Sequence, residues 1–229
     1  MTAIIDTPSP NFDDRDAPVS ILVLHYTGMR DAASAIQRLT DPEAKVSAHY
    51  LVAEDGQILR MVDESKRAWH AGRSYWRGLT GLNSHSIGIE IVNPGHEFGY
   101  RPFADAQIDA LIPLVADIVK RYRITRGNVV GHSDIAPARK EDPGELFPWS
   151  KLAKLRLALP RPTKNLMDPH WTDAGFLLAL ERFGYDVTDG VAAVRAFQRR
   201  FRPELIDGLI DGECRAILLA LLLPRPMGD

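Results

Sequence analysis

Five residues stand out by chemical type and setting: His25, His132, Asp142, Glu90 and Lys140. His25 ends the apolar part of VSILVLHYTG (19–28), and His132 closes NVVGH (128–132). Asp142 lies further along the same loop, inside GHSDIAPARKEDPG (131–144). Two imidazoles and one carboxylate are a donor set for a catalytic zinc that keeps a fourth position for water. Spacing alone does not bring position 25 to position 132, so plainer readings stay open. His25 could be a core histidine bonded to backbone, and 131–144 could be a solvated turn. Pro137 and Pro143 lower the entropy lost when that loop is ordered, which suits a loop that prepositions side chains.

Glu90 projects from SIGIEIV (86–92) between Ile89 and Ile91. A carboxylate in such company is costly unless it is paired or faces a cavity. It reads either as a general base acting on water at a metal, or as an edge-strand residue facing solvent. Lys140 reads as a donor to a developing oxyanion or as a surface lysine. Asp134 and Glu141 read as turn or surface residues, His49 as a support for the site, and His85, His96 and His170 as surface residues.

The elements that must position these groups follow from periodicity. VSILVLHYTG has the continuous apolar character of a strand buried on both faces. DAASAIQRLT (31–40) predicts a helix with Asp31 as N-cap, and SAHYLVAEDGQILRMV (47–62) a hairpin around Asp55-Gly56. In SIGIEIV, Ile87, Ile89 and Ile91 share one face, while Gly88, Glu90 and Val92 share the other. ADAQIDALIPLVADIVKRYRI (104–124) has helical spacing, with Pro113 predicting a kink or a late start. Strands alternating with helices argue for an α/β or α+β domain over 1–158, a central mixed β-sheet flanked by helices. LPRPTKNLMDPHW (159–171) holds three prolines and reads as a linker. Residues 172–229 then read as a small three-helix domain. Its helices fall at about 172–183 (ending at Gly184), 189–201 and 212–223, the second with Val191, Val194, Phe197 and Phe201 on one face.

The chain has 229 residues, 45% hydrophobic and 25% charged, enough to bury a core. With 28 basic against 30 acidic residues it has no general attraction for nucleic acid. A single cysteine, Cys214, rules out an internal disulfide. The opening MTAIIDTPSPNFDDRDAP lacks a basic region followed by an apolar one, and no apolar run is long enough to span a bilayer. The expectation is a cytoplasmic monomer.

The blocks LHYTG, SAHYLV, AWHAG, NSHSIGIEIVN and GHSDIAPARKEDPGELFPW, in this order and spacing, resemble the AmpD-like zinc-dependent N-acetylmuramoyl-L-alanine amidases over roughly residues 17–157. These share a fold with the peptidoglycan recognition proteins. The resemblance implies one zinc ion held by His25, His132 and Asp142, with Glu90 and Lys140 as catalytic residues. It implies a peptidoglycan or muropeptide substrate, with Trp69, His70 and Asn83 lining its groove; Trp69 could equally be core packing. A non-catalytic peptidoglycan-recognition protein is the alternative, against which the intact Glu90, Lys140 and Asp142 speak. The C-terminal TDGVAAVRAFQRRFRPELIDGLIDGECRAIL is similar to the three-helix peptidoglycan-binding module. A wall-binding module would place the protein in the periplasm or cell envelope instead.

Overall fold

The computed structural model describes residues 3–164 and 166–223; positions 224–229, assigned above to the helical unit, lie outside them. In chain order the strands are β1 (Ile4–Asp6), β2 (Phe12–Asp14), β3 (Ile21–Tyr26), β4 (Tyr50–Val52), β5 (Ile58–Arg60), β6 (Lys66–Ala68), β7 (Tyr75–Trp76), β8 (Leu79–Thr80), β9 (Ser86–Ile91) and β10 (Val129–Gly131). The α-helices are α1 (Ala32–Thr40), α2 (Gly95–Phe98), α3 (Asp105–Tyr122), α4 (His132–Ile135), α5 (Trp149–Lys154), α6 (Asp173–Phe183), α7 (Gly190–Phe201) and α8 (Gly212–Leu222).

A strand with no polar alternation is stable only if both of its faces are covered, and β3 meets that condition. The main sheet has the order β1-β5-β4-β9-β3-β10. It is mixed: β4, β9, β3 and β10 run parallel, β5 is antiparallel to β4, and β1 is parallel to β5. Leu22 and Leu24 join Ile87, Ile89, Ile91 and Val52 in a core under α3. Ile21 and Val23 point the other way, into a core with Val130, Ile135 and the buried faces of α6, α7 and α8. Leu51, Leu59 and Met61 pack against Ala35 and Leu39 of α1. Asp31 caps that helix as expected, accepting the Ser34 N–H at 2.8 Å.

Helix α3 starts at Asp105 and runs through Pro113 to Tyr122, so the late start predicted from the proline does not occur. Proline removes one intrahelical hydrogen bond and crowds the preceding turn, at a cost of about 3 kcal/mol. Ile108 and Leu111 before it, and Leu114, Val115 and Ile118 after it, are all buried against the sheet. At about 1.5–3 kcal/mol for each such side chain, burial outweighs the proline.

Residues 159–171 contain no helix or strand among the described positions. Helices α6, α7 and α8 match the expected spans, with Gly184 at φ 145° ending α6. Val191 is a correction: it is 54% exposed, and the inward face of α7 is Ala193, Val194, Phe197 and Phe201. A buried amide locks this unit together. The buried Gln198 donates to Asp207 Oδ1 and the Leu209 carbonyl, both at 2.9 Å, and accepts the Gly208 N–H at 2.8 Å. Among the described residues no helix is long and apolar enough to cross a membrane.

Candidate active site

Register places the chemistry at the C-terminal ends of the central parallel strands, where α/β sheets gather ligands. His25 on β3 lies beside Glu90 on β9, which lies beside Leu51 on β4. Strand β9 is therefore central, and the edge-strand reading of Glu90 is excluded. Because side chains alternate, His25 and Glu90 project to the face opposite α3. On the other side of β3, β10 ends at Gly131 and hands the chain to α4, whose first residue is His132. The loop beyond α4 returns, and Ser133 N–H donates to the Asp142 carbonyl at 2.8 Å. That bond brings both ends of the loop together, and Asp142 with them.

His25 Nδ1, His132 Nδ1 and Asp142 Oδ2 converge, with pairwise separations of 2.9–3.0 Å. All three residues are buried. The hydrogen-bond network assigns the tautomers. His132 Nε2 faces the Ala71 carbonyl at 3.1 Å and Arg139 Nη2 at 3.4 Å; that Nη2 gives its two protons to the Ala71 and Arg73 carbonyls, and a carbonyl cannot donate, so His132 Nε2 carries the proton and Nδ1 is a lone pair. Ser86 Oγ gives its only proton to the Leu82 carbonyl at 2.6 Å and so accepts from His70 Nε2 at 3.2 Å. His70 Nδ1 is then an acceptor, taking the proton of His25 Nε2 at 3.0 Å. His25 Nδ1 is left as a lone pair too.

Three lone pairs about 3 Å apart with no hydrogen between them repel, and a cation is what resolves them. Burial foremost, and next the repulsion that a charged His132 ring would exert, lower the His25 pKa to about 4, so His25 resists taking a proton. Burial alone would raise Asp142, but the His132 and His25 rings overcome it and hold the carboxyl well below the usual carboxylate range. The residues thus fit a metal ion, with His70 and the Ala71 carbonyl as the outer partners that fix the rings.

A cavity of about 550 Å³ opens over this centre, lined by His70, Glu90, His132, Lys140 and Asp142. Glu90 Oε2 is buried and has no hydrogen-bond partner. Burial, reinforced by the charge of Asp142, raises the Glu90 pKa well above its ordinary value, while Lys140 acts in the opposite direction. Such a carboxyl can hold or release a proton within a cavity.

His70 lines the cavity; Trp69 and Asn83 are not among its lining residues. Trp69 donates its indole N–H to Asp13 at 2.6 Å, and Asn83 accepts the backbone N–H groups of His70 and Ala71 at 3.1 and 2.7 Å. Asn83 thus braces the segment carrying His70. Gly88 leaves room for the His70 ring, since a Cβ there would lie 2.5 Å from it. His49 is buried and accepts the Gly88 N–H at 3.0 Å.

One surface reading is corrected, and another, His96, holds with an added role. Asp134 is only 2% exposed, accepting from Tyr185 and from Gly131 N–H. His96 lines the cavity, stacked on Tyr100 at 4.3 Å and bonded to Tyr26 and Glu145. Tyr26 and Arg139 also line the cavity and went unnoticed, although each directly adjoins a candidate residue in sequence.

The family model described as N-acetylmuramoyl-L-alanine amidase matches residues 15–145. The chain belongs to this amidase family. Its match spans every converging residue just described. The chain is 42% identical to N-acetylmuramoyl-L-alanine amidase AmiD of Escherichia coli, over 89% of this chain and 82% of that protein. It is 37% identical to 1,6-anhydro-N-acetylmuramyl-L-alanine amidase AmpD of Haemophilus influenzae, over 62% of this chain and 86% of that one. The solved structure of AmiD, in complex with anhydro-N-acetylmuramic acid-L-Ala-D-gamma-Glu-L-Lys, superposes with a TM-score of 0.81 at 40% identity, covering 92% of this chain and 91% of AmiD. AMPDH3 of Pseudomonas aeruginosa gives the same TM-score at 36% identity, covering 93% of both chains. Both structures extend the likeness of this amidase beyond the family match into its C-terminal helices.

Proposed function

We propose that the chain is a zinc-dependent amidase. It hydrolyses the amide joining the lactyl group of N-acetylmuramic acid, or of its anhydro form, to L-alanine of the stem peptide. The observation that carries this reading is the set of three buried lone pairs, from His25, His132 and Asp142, beside the unpartnered carboxyl of Glu90 in one cavity. The substrate class is taken from relatives: AmiD is solved with an anhydromuramyl tripeptide and AMPDH3 with an anhydromuramic pentapeptide. Two imidazoles and a carboxylate suit zinc better than harder cations. Zinc held there supplies Lewis acidity toward the scissile carbonyl and makes hydroxide available near neutral pH.

The chain's own residues manage the protons. Glu90 takes one from the attacking water as its oxygen bonds to the carbonyl carbon. Glu90 then passes that proton to the alanine nitrogen as the C–N bond breaks, leaving a free peptide amine and a muramic carboxylate. Lys140 sets its ammonium against the oxygen that carries negative charge between those steps. The helical unit is read as a peptidoglycan-binding module, and the whole acts as a monomer.

Mass spectrometry of products from an anhydromuramyl peptide tests the reading. The expected outcome is free stem peptide plus intact sugar, with one water added. Cleavage within the peptide would make the chain a peptidase, and no product from zinc-loaded protein would make it a recognition protein. Metal analysis should find one zinc per chain, lost in His25→Ala. Assays on intact sacculi beside soluble muropeptides, with sedimentation of the full chain on sacculi, test the role given to the helical unit.

A further inference from the structure

The loop that carries His132 and Asp142 is held from both ends by the helical unit. Tyr185, which follows α6 and is fully buried, donates its hydroxyl to Asp134 Oδ1 at 2.5 Å. The other oxygen of the same carboxylate accepts the Gly131 N–H at 2.8 Å, one residue before His132. At the far end, Arg199 of α7 donates to Glu141 Oε1 at 2.9 Å, one residue before Asp142. The backbone between these ties is tight: a Cβ on Gly131 would lie 2.6 Å from Pro143 Cδ. Little slack remains for Gly131 to move without moving His132.

We propose that Tyr185 is a positioning residue of the metal site, acting through Asp134 to fix the backbone from which His132 projects. A buried tyrosine hydroxyl needs an acceptor in any fold. What is particular here is the acceptor chosen, a carboxylate whose second oxygen holds the residue adjoining a metal ligand. The helical unit is then part of the catalytic centre, whatever it binds outside. This inference rests on reading His25, His132 and Asp142 as metal ligands.

The test uses the full chain, with zinc affinity measured by competition with a chromophoric chelator. Cobalt(II) replaces zinc in parallel, so that its visible absorption reports ligand geometry. Tyr185→Phe should weaken zinc binding about tenfold, the low end of what outer partners of metal ligands contribute, and should shift the cobalt spectrum. Phe176→Leu alters the same buried core without touching Asp134. It should lower the unfolding temperature and leave affinity and spectrum unchanged. Asp134→Asn keeps an acceptor for Tyr185 but turns a donor toward Gly131, and it should reproduce the loss even if Tyr185→Phe does not fold. Wild-type affinity and spectrum in the folded Tyr185 variant, or in the Asp134 variant, would overturn the proposal. So would an equal loss in Phe176→Leu. Failure of the wild-type chain to bind zinc would sink the metal assignment itself, and this inference with it.

Discussion

Burial raises the pKa of Glu90, so how readily it gives up a proton depends on the charges around it. Asp142 adds to the effect of burial, while Lys140 opposes it and favours the ionised form. Glu90→Gln keeps the shape and removes the exchangeable proton, so kcat should fall about 10²–10⁴-fold with zinc content unchanged; steady-state kinetics with metal analysis checks this. His49 makes a pH prediction. Burial lowers its pKa to about 4, and its ring accepts from Gly88 while facing the Lys66 carbonyl at 3.1 Å. Between about pH 6.5 and about 4 the unfolded chain gains a proton that the folded chain refuses. Stability is therefore complete above about pH 6.5 and declines as the pH falls. Urea titrations of metal-free protein should show that decline, and His49→Asn should make it shallower by about 1–3 kcal/mol. At this scale the sequence was most legible where a motif is contiguous, as around Lys140 and Asp142. The cavity role of His96 was not legible, because its partners Tyr26 and Glu145 arrive from distant segments. Asp134 was misread as a surface residue because the partner that makes its burial tolerable, Tyr185, lies fifty-one positions away.

Elements are legible in proportion to their length. The six-residue strands β3 and β9 and the capped helix α1 follow from pattern and capping. Strands of two or three residues, such as β1, β7 and β8, hold no repeat to read. A period of two also looks the same in a central strand as at an edge, which is why Glu90 stayed ambiguous until β9 was found between β4 and β3. Pro113 illustrates tertiary packing overriding local preference. Pro113→Ala should restore one helical hydrogen bond at an exposed position and stabilise the protein by about 1–2 kcal/mol, after allowing for proline's restriction of the unfolded chain. Thermal unfolding of the two proteins measures the difference.

For the molecule as a whole, the 159–171 stretch is legible as punctuation, but composition does not say whether such a segment separates two units or straps them together. The sheet face carrying Ile21, Val23 and Val130 shares one core with Phe176, Leu180, Phe197 and Phe201. Arg200 adds a hydrogen bond to the Val129 carbonyl at 3.3 Å. A chain ending at Ala158 would bare that face, and we expect it to aggregate or to lose its sharp unfolding transition. Size-exclusion chromatography and calorimetry of the fragment would show this; a monomer melting as sharply as the full chain would mean that the sheet domain stands alone.

The converging ligands also have a consequence for the unfolded chain. His25 and His132 are 107 positions apart, and the single cysteine leaves no disulfide to join such distant segments. A cation gripping both would act as the covalent bridge does in secreted proteins, closing a loop of about a hundred residues and removing about 4–5 kcal/mol of chain entropy from the denatured ensemble in the loop-closure model. Unlike a disulfide, that staple would ignore the thiol–disulfide balance of its surroundings and answer to metal supply instead, so starving the chain of metal would loosen its framework along with its chemistry.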